Sequence, residues 1–565
     1  MTSDEVSPSA ARRRLAIIGC GSSGLISLKT ALESLPEWEV VCFEKSGDIT
    51  GCWGDPYPGF VSTSTKYTTQ FACFPERDAS VDADAGVSRA EFFRNGEYGE
   101  YLKRFADHFR LRQHIRLRHQ VEHLDRAKKQ SGWQVVYRRH DEQGVFDVQT
   151  ERFDAIVVCT GLAAQQKQVE TAVSVIPLCE LNTQKGIGDV RNECIVVFGG
   201  GESAVDYAMR LSRPELRNKV YLSLRSGVRV SPRYHPIRGV PSDFLRNRLM
   251  LSIHPAMRNW IGQRFVEARI LHQEKFERWF PAAVPKGVSE GDQQIVARRK
   301  EWAHRLTKTA KDELFNMFHN KSDDFLDGVA QGKITIVGPP VDKNLAHFYE
   351  FDSKEQIEVR PTRIVPAIGY RSALASIAGG SLRLPDFYLG CCHCRYRDLF
   401  LVGFARPIIG NIPTIAEMQA LYVCGVISGK YPRDKQIAEW IELDHREKSG
   451  RFPQLDLEAV YPVEMFSYCD QLARLMGTYP TWRRIGSLRA WWKIQLSPVT
   501  TAHYLYHDAR IRRFFESAKI YMPTLLICFL LCLKPIDYVF RVIVWLFGKR
   551  WRRPTNETSS TLTSE

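Results

Sequence analysis

An α/β fold built on two dinucleotide-binding βαβ units, one inserted within the other, is what this sequence predicts. Three observations predict it. A glycine fingerprint sits between two apolar runs near the N-terminus, a second such fingerprint lies near residue 200, and short apolar runs ending in glycine turns return towards residues 370 and 400. Between and after them, a charged helical insertion at about 238–327 and an apolar C-terminal segment complete the expected architecture.

The first unit runs from Leu15 to Ser46. Leu15, Ala16, Ile17 and Ile18 form a buried-strand pattern that meets Gly19, Cys20, Gly21, Ser22, Ser23 and Gly24. Gly19 makes the tight turn, Gly21 lets backbone approach a pyrophosphate, and Gly24 lets helix and strand pack closely. A second apolar run, Val40 to Phe43, ends on Glu44, which is placed to accept hydrogen bonds from a ribose hydroxyl pair. The helix N-terminus then faces the phosphates. The loop Gly51-Cys52-Trp53 that follows suits a segment lying over a ligand.

The second unit repeats the pattern. Cys194 to Phe198 leads into Gly199, Gly201, Glu202, Ser203, Ala204 and Asp206, and the next strand, from Val220, ends at Arg225 with no acid there. An arginine at that place suits a 2'-phosphate, so the second nucleotide is expected to be NADPH, with Arg229 and Arg233 sharing the load. In the helical insertion the aromatics Trp260, Phe265, Phe276, Trp279, Phe280 and Trp302 read as core packing. Further on, Gly410-Asn411-Ile412-Pro413-Thr414 opens a helix and can bring backbone amides to a cofactor ring.

With 44% hydrophobic and 25% charged residues the composition is that of a globular chain. The net charge of +14 is scattered and no nucleic-acid-reading motif accompanies it, so nucleic acid is not expected as a partner. Fourteen cysteines, many inside apolar runs, fit buried thiols in a reduced compartment. Cys391, Cys392 and Cys394 lack a second ligand pair, and no metal site is expected. At the C-terminus, Thr524 to Leu533 is apolar, Lys534-Pro535-Ile536-Asp537 interrupts it, Val539 to Phe547 resumes it, and Lys549, Arg550, Arg552 and Arg553 close it. The interruption predicts two short membrane-associating helices rather than one span, with a pair of buried helices as the alternative.

Taken in order, these motifs resemble the flavin-containing monooxygenases, a class B flavoprotein family. The resemblance covers about Arg14 to Leu496 and rests on Gly19–Gly24 with Glu44, Gly51-Cys52-Trp53, Cys73-Phe74-Pro75, Gly199 to Asp206, Arg225-Ser226-Gly227, and Ile412-Pro413-Thr414 with Glu417, Gln419 and Ala420. Two departures accompany it: Leu178 to Gln184 lacks the family histidine, and Lys66, after Thr65, stands at about the place of the family's active-site asparagine. The resemblance implies FAD at the first fingerprint and NADPH at the second. It also implies O2 as co-substrate, a flavin hydroperoxide as oxidant, and a small-molecule amine or sulfide as substrate. Baeyer-Villiger oxygenation of a ketone, an NADPH oxidase and a non-enzymatic membrane adaptor are left open, as is a homodimer. A disulfide reductase would need a cysteine pair by the flavin, and only Cys52 is found there. Lys66 is the candidate catalytic group, an ammonium able to stabilise a developing peroxy anion. The expected divisions are a disordered 1–13, FAD-binding parts at 14–190 and 366–500, the NADPH-binding part at 191–365, membrane-associating helices at 501–553 and a disordered 554–565. The resemblance further implies the endoplasmic reticulum membrane, with the catalytic parts facing the cytosol.

Overall fold

The computed structural model describes residues 12–54, 57, 59–76, 91–126, 132–141, 144–236, 238–280, 293–431, 433 and 436–551. The expected disordered ends lie outside these residues, apart from residues 12 and 13, as do Arg552 and Arg553 of the closing basic cluster, and nothing is described of the side chains of Lys549 and Arg550.

β1 (Arg13–Ile18) enters the core at Leu15, α1 (Ser22–Ser34) follows, and β2 (Trp38–Phe43) pairs parallel with β1 from Arg13↔Trp38 to Ile18↔Phe43. Leu15, Ala16 and Ile17 are wholly buried, as a parallel strand covered on both faces requires. Gly19 has φ +94°, and a Cβ on Gly24 would fall 1.9 Å from the Gly19 carbonyl oxygen, so only glycine permits this crossing of helix and strand. β3 (Ala155–Val158) pairs parallel with β1 on the side opposite β2.

The chain then leaves this sheet. β4 (Cys194–Phe198), α2 (Glu202–Leu211) and β5 (Lys219–Ser223) form the second βαβ unit, in register from Cys194↔Lys219 to Phe198↔Ser223. β6 (Ile334–Pro340) and β7 (Arg363–Pro366) flank it in a second seven-stranded sheet. β8 (Leu399–Leu401) returns beside β3, so strands before and after the second unit share one sheet, and the insertion read from the sequence is the observed topology. The two connections between the sheets meet in an antiparallel ladder, Gln165–Gln166 against Tyr370–Arg371. α3 (Ile412–Ile427) packs on the first unit.

Three helices dominate the insertion: Pro255–Leu271, Gln273–Trp279 and Gln293–Lys308. Phe276 is buried, but Trp260 and Trp279 are 67% and 63% exposed, which corrects the core reading for those two.

The C-terminal expectation of two short helices is also corrected. α4 (Thr524–Trp551) is one continuous helix that runs through Pro535. The residues that interrupt the apolar run in one dimension share a face at helical spacing. Lys534 donates to the Ser252 hydroxyl (2.6 Å), Asp537 accepts from the His254 N–H (2.7 Å), and Arg541 donates to the Ser252 carbonyl (2.8 Å). Leu530 adds an apolar contact to Leu249 and Ile253. Among the described residues, no helix is long and apolar enough to cross a membrane.

Candidate functional site

The first glycine fingerprint ends in a helix whose N-cap, Gly21, has no side chain to bond the first-turn amides. The N–H groups of Ser22, Ser23 and Gly24 are therefore left for an outside acceptor. Glu44, 6% exposed, closes the other side. Its Oε2 accepts from the Cys20 N–H (2.7 Å) and its Oε1 from the Ser46 N–H (2.9 Å), which orients the carboxylate while leaving acceptor capacity for a ribose. The turn Gly51–Trp53 folds over this helix end so closely that a Cβ on Gly51 would sit 3.0 Å from the Gly21 Cα. Trp53 packs edge-on against Tyr98 (5.0 Å) and Phe60 (5.9 Å), while Cys52 is a free, exposed thiol. This cradle of glycine backbone, free amides and a fixed carboxylate fits a dinucleotide.

Beyond it lies the short helix Lys66–Thr69. Thr65 is fully buried and caps that helix, and its own N–H donates to Asp243 Oδ2 (3.0 Å). The Lys66 ammonium pairs with Glu97 (3.1 Å) and lies 5.6 Å from the Phe93 ring centre. Asn411 caps α3 through the Thr414 N–H (3.0 Å), and both Asn411 and Thr414 donate side-chain hydrogen bonds of 2.7 Å to the Thr68 carbonyl. Their side chains thus tie α3 to the Lys66–Thr69 turn, and what they can offer a ligand is backbone.

At the second fingerprint, a Cβ on Gly199 would lie 2.2 Å from the Ala367 carbonyl oxygen, whereas one on Gly201 would meet nothing within 4 Å. Gly201 is an N-cap without a side-chain bond, so α2 also opens on free amides with room for a phosphate. Ala204 is buried against the sheet and Ser203 is half-buried. Arg225 is exposed just past β5 and makes no hydrogen bond or ion pair with the described residues. Arg229 and Arg233 are committed elsewhere: Arg229 to Gln263 (2.6 Å), Arg233 to Asp323 (3.1 Å) and to the Ser62 and Val61 carbonyls (2.9 and 2.7 Å).

Residues 12–284 match a family model described as flavin-binding monooxygenase-like. Over that span the chain is similar to the flavin-containing monooxygenases. It is an oxidoreductase, a flavin monooxygenase. Among curated relatives, it is 24% identical over 496 residues to a 4-hydroxybenzoate brominase (decarboxylating) of Marinomonas mediterranea, covering 83% of this chain and 84% of the relative. Human flavin-containing monooxygenase 1 is 25% identical over 512 residues, with the same coverage of 83% and 84%. The closed crystal structure of cyclohexanone monooxygenase superposes with a TM-score of 0.53 at 16% identity, covering 83% of this chain and 98% of that one.

The two βαβ units are held together through residues whose pairing the sequence does not announce. Tyr57, from the loop over α1, donates to Asp206 on α2, and Arg210 lies 4.3 Å from the Tyr57 ring centre. Burial pushes the Asp206 carboxyl up, and burial together with Asp206 pushes the Tyr57 phenol up. Asp206, read as a coenzyme contact, is thus a bridge between the units. Asp243 is a second bridge. Buried, it pairs with Lys321 and accepts from the Thr65 N–H, and although burial opposes its ionisation, Lys321 and Arg246 hold its carboxyl low. Asn320 beside it donates to the Gly200 carbonyl (2.7 Å). Within the α3 motif, Glu417 accepts from the Ala72 and Cys73 N–H groups and the Thr501 hydroxyl, while Gln419 accepts from the Gly403 N–H (2.8 Å). Among the described residues no cluster suits a metal ion.

Proposed function

We propose that the enzyme transfers one oxygen atom from O2 to a soft nucleophile, an amine or a sulfide, in a small molecule, with FAD at the first fingerprint and NADPH at the second. The observation that carries this reading is the Tyr57–Asp206 bridge, which ties the loop over one uncapped helix to the other. Gly403 sits against Ser23 at the N-terminus of α1, and Arg406, three residues on, acts electrostatically on Glu202 at the N-terminus of α2. When bound, FAD supplies the acceptance of hydride from NADPH and the activation of oxygen. The chain's part is positioning and exclusion of water. The free amides of α1 and α2 take the pyrophosphates, Glu44 fixes a ribose, and Trp53 covers the first helix end. Lys66, its charge shared with Glu97, is the cation proposed to stabilise negative charge developing beside the ring.

Purified enzyme is expected to be yellow, to consume NADPH and O2 together, and to convert a tertiary amine or a sulfide to its oxide. An ester formed from a ketone would move the substrate class, peroxide in place of product would make it an oxidase, and a colourless protein would sink the enzymatic reading. Lys66→Met is expected to raise the peroxide yield at unchanged FAD content; an unchanged yield would leave Lys66 the role of holding its helix to Glu97.

NADPH selection is assigned to Arg225. A charge-assisted hydrogen bond to the 2'-phosphate contributes about 1.5 to 3 kcal/mol, roughly ten- to hundredfold. In Arg225→Ala, flavin reduction is expected to need correspondingly more NADPH with little change for NADH. Equal losses for both coenzymes would make the arginine structural.

α4 is proposed to lie on a membrane surface of the endoplasmic reticulum, with the catalytic units towards the cytosol. Its polar face is tied to the body, while Leu525, Phe529, Ile536, Val539 and Ile543 are exposed on it. The double substitution Phe529→Glu, Val539→Glu is expected to release the protein from phospholipid vesicles in a flotation assay without lowering its melting temperature. Unchanged flotation would exclude this face.

A further inference from the structure

α4 meets the body of the protein along one side. Lys534 and Arg541 donate to Ser252, Asp537 accepts from the His254 N–H, and Leu526, Ile527, Leu530 and Leu533 join one apolar cluster with Leu249 and Ile253. At about 100° of rotation per residue, all of these α4 positions fall on one half of the helix. The other half carries Leu525, Phe529, Ile536 and Val539, all exposed. Cys528 and Cys532 stand in the middle of that half, one turn apart, as free, exposed thiols. Of the fourteen cysteines two others are exposed, Cys52 and Cys179, and the rest are wholly or partly buried, so the burial of thiols is broken twice on a single helix face. A buried cysteine acts as a small apolar filler, whereas an exposed one offers its reactivity. The sequence then closes on the basic run from Lys549 to Arg553, a charge that suits anionic headgroups.

We propose that Cys528 and Cys532 are S-acylation sites, each taking a long-chain fatty acyl group in thioester linkage. The proposal rests on the reading of α4 as lying on a membrane, which brings both thiols to the boundary between headgroups and acyl chains. The donor is a fatty-acyl thioester. The cysteine thiolate attacks its carbonyl carbon, a new S–C bond forms as the donor's C–S bond breaks, and the donor leaves as a thiolate that takes up the proton the cysteine gave up. Nothing is oxidised or reduced. An interfacial helix holds a membrane reversibly, and stable anchoring takes more than one signal, which two acyl chains beside a basic run supply.

The test uses the full chain made in eukaryotic cells, as wild type, Cys528→Ala, Cys532→Ala and the double variant. Alanine keeps the helix and its apolar face. Free thiols of the denatured protein are blocked with N-ethylmaleimide, neutral hydroxylamine cleaves thioesters, and the thiols so released are tagged with a polyethylene-glycol maleimide. Wild type is expected to gain two hydroxylamine-dependent tags, each single variant one and the double variant none. A high-salt wash is expected to leave at least about tenfold less of the double variant on the cell membranes than of wild type. At low salt both are expected to float with phospholipid vesicles, because the apolar face and the basic run are intact. If wild type floats, then the absence of tags, tags that persist in the double variant, or tags released only by a reductant would overturn the proposal and leave the membrane reading of α4 intact. Wild type that neither floats nor carries tags would overturn both.

Discussion

Gly21→Val is expected to give a folded protein without bound FAD. At φ −73° the backbone of Gly21 is open to any residue, and the first carbon of a side chain would lie 3.5 Å from the Gly51 Cα, an ordinary contact. The two further methyl groups of valine have to share the space above the α1 amides with the pyrophosphate. Charge-assisted hydrogen bonds to those amides contribute about 1.5 to 3 kcal/mol each, so the loss of two weakens binding by on the order of a hundredfold or more. Gly24→Val makes the contrast, because its Cβ would overlap the Gly19 carbonyl oxygen and the fold itself has to give. Flavin absorbance per polypeptide and the far-ultraviolet circular dichroism of both variants are the measurements. Normal FAD content in Gly21→Val would remove FAD from this helix.

Glu417→Ala is expected to produce the largest loss of stability among single substitutions near the site. The carboxylate is 2% exposed and is the shared acceptor for the Ala72 N–H (2.9 Å), the Cys73 N–H (3.1 Å) and the Thr501 hydroxyl. Alanine leaves three buried donors without a partner, at about 1 to 3 kcal/mol each, for a total on the order of 3 to 5 kcal/mol after partial relaxation. Glu417→Gln keeps one carbonyl acceptor and is expected to fall between the two. Chemical unfolding of the flavin-loaded protein measures the difference. An alanine variant within about 1 kcal/mol of wild type would show that water replaces the carboxylate and that the tie has little weight.

What the sequence determined by itself is what lies within one βαβ unit: both fingerprints, the strands around them, Glu44 at the end of one strand and Arg225 beyond the other. A turn that only glycine can make and a helix that starts at once are local demands, written in neighbouring residues. Their order also exposed the insertion, since the second unit falls between β3 and β8 of the first sheet. Tertiary structure alone decided which side chains close the site. Tyr57 meets Asp206 across 149 positions and Thr65 meets Asp243 across 178, and no spacing rule joins residues so far apart. The same distance effect joins the Asn411 and Thr414 side chains to the Thr68 carbonyl. At the C-terminus, Lys534, Asp537 and Arg541 break an apolar run when read along the chain. In α4 they form one face, because a helix brings residues three and four apart together and the Ser252–His254 backbone is there to receive them.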